Sequence, residues 1–133
     1  MRKFKIAFLC VENSCRSQMA EAISKHLAAD VYEAYSAGDH VADKIKPEAI
    51  QVIKELYGID MMADQYPKHV NDLPEIDFVV RMGCGIECPQ KDNRYSEDWD
   101  IEDPSGKPIE AFRKTAKLIE EKVIQFRDKI KNA

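Results

Sequence analysis

Three stretches of the chain are apolar enough to be buried strands. Residues 4–9, FKIAFL, form the short continuous apolar run expected of a parallel strand. Residues 31–38, VYEAYSAG, predict a second strand that stops at Gly38, and residues 77–82, DFVVRM, predict a third. Between them the apolar residues recur at helical spacing. From Ser17 onward, Met19, Ile23 and Leu27 fall on one helical face. Pro47 suits a first helical turn, and Ile50, Ile53 and Tyr57 follow until Gly58 stops the pattern. The most regular stretch comes last: Phe112, Ala116, Ile119, Val123, Phe126 and Ile130 recur every three or four residues. One short helix of this kind more often packs on a sheet than forms a coiled-coil seam.

Strands alternating with helices predict an α/β sandwich with a mainly parallel sheet, and right-handed crossovers place helices on both of its faces. In such folds ligands bind beyond the carboxyl ends of the strands, and Cys10 stands at one of those ends. Residues 83–108 hold Gly83, Gly85, Pro89, Pro104, Gly106 and Pro108, which predicts a long functional loop with short local structure. With no repeat, linker or low-complexity stretch, residues 1–133 read as a single domain.

Composition narrows the partners. The 133 residues carry a net charge of -4, with 44% apolar and 33% charged residues. No basic stripe is present, so nucleic acid and acidic membranes are excluded as expected partners, and an anionic substrate has to be caught locally. The N-terminus imitates a signal peptide, but its apolar stretch from Ile6 to Val11 is too short and runs into Glu12. No other segment is long enough to span a bilayer. The expectation is a cytoplasmic monomer. In that compartment four cysteines point to catalysis, redox chemistry or metal binding rather than structural disulfides.

The stretch FLCVENSCRSQ concentrates this chemistry. A chain that leaves a strand at Cys10 and enters a helix at Arg16-Ser17 turns several backbone N–H groups inward, and the helix adds the positive end of its dipole. Val11, Glu12, Asn13, Ser14, Cys15, Arg16 and Ser17 then form a cradle for a tetrahedral oxyanion, with Arg16 adding a bidentate fork. The same positive field favours a thiolate at Cys10. Two other readings stay open: Cys10 as a packed strand-end cysteine, and a zinc site of Cys10, Cys15, Cys84 and Cys88. Cys15 is expected to pack beneath the loop without a catalytic role.

C-x5-R-S after the first strand resembles the signature loop of low-molecular-weight tyrosine phosphatases and of the arsenate reductases that share their fold. The longer string CVENSCRSQMAEA is more similar to the reductases, and YSAG at 35–38 and EDPSGKP at 102–108 match further family positions in order. The resemblance implies a three-layer α/β sandwich with a four-stranded parallel sheet. It implies Cys10 as nucleophile, arsenate as substrate with phosphate or sulfate as analogues, and Asp103, before Pro104, as general acid. On the residues alone, Asp103 reads as a turn aspartate.

Cys84 and Cys88 separate the two chemistries. A phosphatase needs only water after the first step, and that is the alternative function. A reductase must deliver two electrons. The resemblance implies that Cys84 attacks Cys10 in the arseno-adduct and Cys88 then attacks Cys84, leaving a disulfide for thioredoxin or a similar dithiol protein. Thioredoxin-coupled members separate these cysteines by six residues; here three intervene. A non-enzymatic oxyanion or redox sensor is a third reading. Asn13, Glu21 and Ser36 match ligand positions of a potassium site known in some members, but the remaining aspartate falls near Pro67, so the ligand set is incomplete. No bound cofactor is expected. Asn13 and Ser36 are expected to support the loop through hydrogen bonds, and Glu21 to lie on a solvated helix face.

Overall fold

The computed structural model describes residues 3–83 and 95–132. Four parallel strands form one sheet: β1 (Phe4–Leu9), β2 (Tyr32–Ala37), β3 (Phe78–Arg81) and β4 (Tyr95–Asp98), in the order β2-β1-β3-β4. The chain moves from β1 to one side, then returns across it to β3. The carboxyl end of β1 is therefore the point where the winding reverses, and Cys10 is the first residue beyond it.

The three strands expected from apolar runs are found within a residue or two of their expected bounds. β4 lies inside the stretch read as a loop. Its sequence, Tyr-Ser-Glu-Asp, has no apolar run, and among the described residues it pairs only with β3, from Phe78 opposite Tyr95 to Arg81 opposite Asp98. Edge strands of this kind are fixed by their partner rather than by their own pattern.

Three helices share one core with the sheet: α1 (Arg16–Leu27), α2 (Pro47–Tyr57) and α3 (Ile109–Lys131). Ile6 and Phe8 of β1 meet Met19 and Ile23 of α1, Val52 and Ile53 of α2, and Phe112, Ile119 and Phe126 of α3. Each such side chain removed from water contributes about 1.5–3 kcal/mol. The alternate residues of the sheet, Ala7, Leu9, Ala37 and Val79, face the other way. They are covered by Val70, Leu73 and Ile76, around a 3-10 turn at Val70–Asp72. Helical structure thus covers both faces among the described residues, but unequally.

Two details mark where the elements end. Gly58 ends α2 in the left-handed region at φ 70°, where a residue without Cβ is favoured. Trp99 leaves β4 into the core, its ring 5.4 Å from Phe8 and 6.0 Å from Phe126, and Ile101 is buried after it. These two side chains anchor the backbone that carries Asp103. No helix among the described residues is long and apolar enough to cross a membrane.

Candidate active site

The five residues after Cys10 form a tight bend rather than any regular element. Their carbonyls are tied to the segment that follows β2. Val11 O accepts from the N–H groups of Asp39 (3.1 Å) and His40 (2.9 Å), Glu12 O from Ala42 (3.0 Å), and Ser14 O from Lys46 (2.8 Å). Asn13 O accepts from the Gln18 side chain at 3.0 Å. With the carbonyls anchored, the N–H groups of Val11, Glu12, Ser14 and Cys15 have no acceptor among the described residues. Cys15 takes the cap position of α1 without a side-chain cap, which leaves the positive helix end open. These are the elements of an anion cradle.

The bend demands one unusual backbone and one close approach. Asn13 sits at φ 53°, a region asparagine tolerates better than most residues. Gly38 passes so close that a Cβ there would lie 2.5 Å from Val11 O and 2.7 Å from Cys10 O. YSAG therefore ends in glycine because the loop leaves no room for a side chain.

Cys10, Val11, Glu12, Ser14, Cys15, Arg16, Lys46, Asp103 and Ser105 line a cavity of about 420 Å³. Five of the seven residues expected to hold an anion are there. Asn13 and Ser17 are not, and act on the loop from behind. Asn13 Nδ2 donates to Ser17 Oγ at 2.8 Å, and Ser17 Oγ lies 2.8 Å from Cys10 Sγ. Ser17 Oγ accepts from Asn13 and keeps its own proton, which it can donate to the sulfur when Cys10 is ionised.

Arg16 is buried and oriented by the backbone. Its Nη1 donates to Met82 O at 2.9 Å and Ile101 O at 2.8 Å, while Nη2 stands 3.8 Å from Asp103 Oδ2. Asp103 Oδ1 accepts from the Ser105 N–H at 3.0 Å in a turn closed by Pro104. Burial works to raise the Asp103 carboxyl, but the Ser105 hydrogen bonds and the charges of Arg16 and Lys46 outweigh it and hold it below the usual aspartate range. Cys15 behaves oppositely: burial first, then the charges of Asp103 and Cys10, push its thiol far up, so it stays neutral beneath the loop.

Glu21 corrects an expectation. It is buried, not on a solvated face. Ser36 Oγ donates to its Oε1 at 2.6 Å, Lys25 Nζ stands 2.5 Å from Oε2, and Lys68 Nζ stands 3.8 Å from Oε1. Ser36 thus braces α1 and not the loop directly. Asn13 Oδ1 accepts from the Lys68 N–H at 2.9 Å and from Gln18 Nε2 at 3.0 Å, and Gln18 Oε1 accepts from Gln65 at 2.8 Å. These residues do not fit a potassium ion: two ammonium groups already face Glu21, and Asn13 Oδ1 already has two donors. Gln18, Gln65 and Lys68 do not stand out in the sequence. For Lys46 a signal existed, because a lysine just before a helix-starting Pro47 opposes the helix dipole.

The chain matches the family model described as low molecular weight phosphotyrosine protein phosphatase over residues 5–133. The chain belongs to that family. Within it, the chain is similar to the glutaredoxin arsenate reductase of Synechocystis sp., 35% identical over 90% of this chain and 92% of that protein. It is 33% identical to the arsenate reductase of Staphylococcus aureus strain Newman, over 97% of this chain and 100% of that one. Among solved structures, an arsenate reductase in the phosphate binding state superposes with a TM-score of 0.86 at 34% identity, covering 96% of this chain and 98% of the other. The thioredoxin-dependent arsenate reductase of Corynebacterium glutamicum superposes with a TM-score of 0.79 at 28% identity, over 98% of this chain and 63% of that one. In this family member Cys84 and Cys88 lie outside the described residues. The described chain nonetheless reaches Met82 beside the site, its N–H donating to Leu9 O at 3.0 Å. The four-cysteine zinc reading rests on the same two positions.

Proposed function

We propose that this protein reduces arsenate to arsenite, with Cys10 as nucleophile and an external dithiol as the electron source. The observation that carries the reading is the approach of Ser17 Oγ to Cys10 Sγ at 2.8 Å, at the floor of a loop of uncommitted amides beside a tethered arginine. The names of similar proteins support arsenate as the oxyanion.

In the first step Cys10 sulfur bonds to arsenic, and one arsenate oxygen leaves as water after accepting a proton from Asp103. Arsenic remains pentavalent. Cys84 thiolate then attacks Cys10 sulfur; the S–As bond breaks with its electron pair going to arsenic, which leaves as arsenite. Cys88 thiolate attacks Cys84, freeing Cys10 and closing a Cys84–Cys88 disulfide. A dithiol protein returns that disulfide to two thiols. One similar protein is named for glutaredoxin and another for thioredoxin, so either class fits this last step.

Asp103 is held ionised by its neighbours in the resting site. An arriving oxyanion places negative charge beside it and takes a share of the Arg16 charge, and both changes raise its affinity for a proton. The acid is thus set by the substrate.

Arsenite release by wild type and Cys84→Ser, with thioredoxin or glutaredoxin as donor, tests the reading. Donor-dependent arsenite release that Cys84→Ser abolishes is the expected result. Hydrolysis of p-nitrophenyl phosphate without donor, unaffected by Cys84→Ser and without arsenite release, would make the protein a phosphatase.

A further inference from the structure

The charge balance of the cavity is incomplete without Lys46. A tetrahedral oxyanion at neutral pH carries up to two negative charges, and the cavity lining already includes the Asp103 carboxylate, 3.8 Å from Arg16, and the acidic residue Glu12. Against these stands Arg16, whose Nη1 is committed to the carbonyls of Met82 and Ile101. Among the described residues, the remaining cation in the lining is Lys46.

Three observations set this lysine apart. Its backbone is locked to the anion loop, the N–H donating to Ser14 O at 2.8 Å, so its side chain starts from a fixed point at the rim. It forms no ion pair with a carboxylate among the described residues, although its charge is felt at both Asp103 and Cys15. It also occupies the cap position of α2 and makes no side-chain capping bond there. A cation at a helix N-terminus opposes the dipole, and serine, aspartate or asparagine would cap it better. Helix capping therefore does not account for a lysine at this place in the lining.

A second feature points the same way. No aromatic residue lines the cavity among the described residues, and Val11 is its one aliphatic side chain. An aryl ester gains affinity from apolar or stacking surface around its ring. Lysine at the rim offers charge in that place.

We propose that Lys46 is the second cation of the anion site and selects small inorganic oxyanions over aryl phosphate esters. This deepens the arsenate reading and rests on it for the identity of the substrate, but not for the binding of an anion.

The test compares wild type with Lys46→Met, Lys46→Gln and Lys46→Arg. Inorganic phosphate binding is read by calorimetry, with arsenate KM and p-nitrophenyl phosphate KM alongside. Both neutral variants weaken phosphate binding and raise arsenate KM about 5- to 20-fold, with kcat changed less than about threefold. Lys46→Arg stays within about twofold of wild type, and the aryl ester KM rises less than that of arsenate. Denaturation midpoints at or above wild type show that the fold is intact. Phosphate binding within twofold of wild type in both neutral variants would overturn the proposal, as would Lys46→Arg binding no better than Lys46→Met. If phosphate binding responds as stated while wild type reduces no arsenate, the anion site stands and the reductase reading falls.

Discussion

Ser17 Oγ lies 2.8 Å from Cys10 Sγ and at the same time accepts a hydrogen bond from Asn13 Nδ2. The amide occupies one lone pair of the oxygen, and the hydroxyl keeps a proton that it can donate to an ionised sulfur. A donated O–H steadies negative charge on sulfur, and hydrogen bonds to charged groups contribute about 1.5–3 kcal/mol. Ser17→Ala is expected to slow alkylation of Cys10 by iodoacetamide at pH 7 about tenfold. Asn13→Ala should slow it by less, since the serine can still turn toward the sulfur. Peptide mapping of the alkylated cysteine checks both.

Asp103 and the oxyanion compete for Arg16, whose Nη2 stands 3.8 Å from Asp103 Oδ2. Asp103→Asn removes a negative charge from the cavity and should tighten sulfate binding about three- to tenfold at pH 7. Formation of the covalent adduct should nevertheless fall about 100-fold, because the proposed proton donor is lost. Binding and chemistry then move in opposite directions, which a purely structural aspartate would not produce.

The same carboxyl gives a pH signature. Its proton affinity is lowered in the folded protein, so it is ionised above the ordinary aspartate range and becomes neutral only as the pH falls through its own lower value. Sulfate stays doubly charged across most of that range. Sulfate affinity in wild type should therefore rise as the pH falls through the acid range, and the rise should be smaller in Asp103→Asn. Calorimetric titration between pH 3 and 7 measures it.

Glu21 tests the bracing behind the loop. Removing one member of a buried ion pair leaves its partners uncompensated, at a cost of about 3–5 kcal/mol when the pair is fully buried. Lys25 is partly exposed, so the lower end applies. Glu21→Ala should lower stability by about 2–3 kcal/mol in urea unfolding, and Ser36→Ala by about 1 kcal/mol.

Gly38→Ala should be as severe for a different reason. Its Cβ would stand 2.5 Å from a backbone carbonyl that cannot turn away without releasing Asp39 and His40. The expected effect is a loss of about 2–3 kcal/mol, together with weakened phosphate binding.

How far the sequence could be read depends on where the information lies. β1 and β3 announce themselves because both faces are buried, and Cys10 to Ser17 because a loop that closes on an anion needs its residues in local order. β4 is hidden because a short polar edge strand takes its conformation from β3. Glu21 misleads for a related reason. Helical spacing makes it polar-faced, and only the fold brings Gln65, Lys68 and Ser36 over that face. Lys46 reaches the cavity through a crossover whose path the local pattern does not contain.

The central claim is that Cys10 attacks the bound oxyanion and passes the oxidation to Cys84 and Cys88. The most direct test is arsenate added to fully reduced protein without donor, with disulfides mapped by mass spectrometry in wild type, Cys10→Ser and Cys88→Ser. A Cys84–Cys88 bridge in wild type, a trapped Cys10–Cys84 bridge in Cys88→Ser and no bridge in Cys10→Ser is the predicted result. A Cys84–Cys88 bridge that forms equally well in Cys10→Ser, or no arsenate-dependent thiol loss at all, would contradict it.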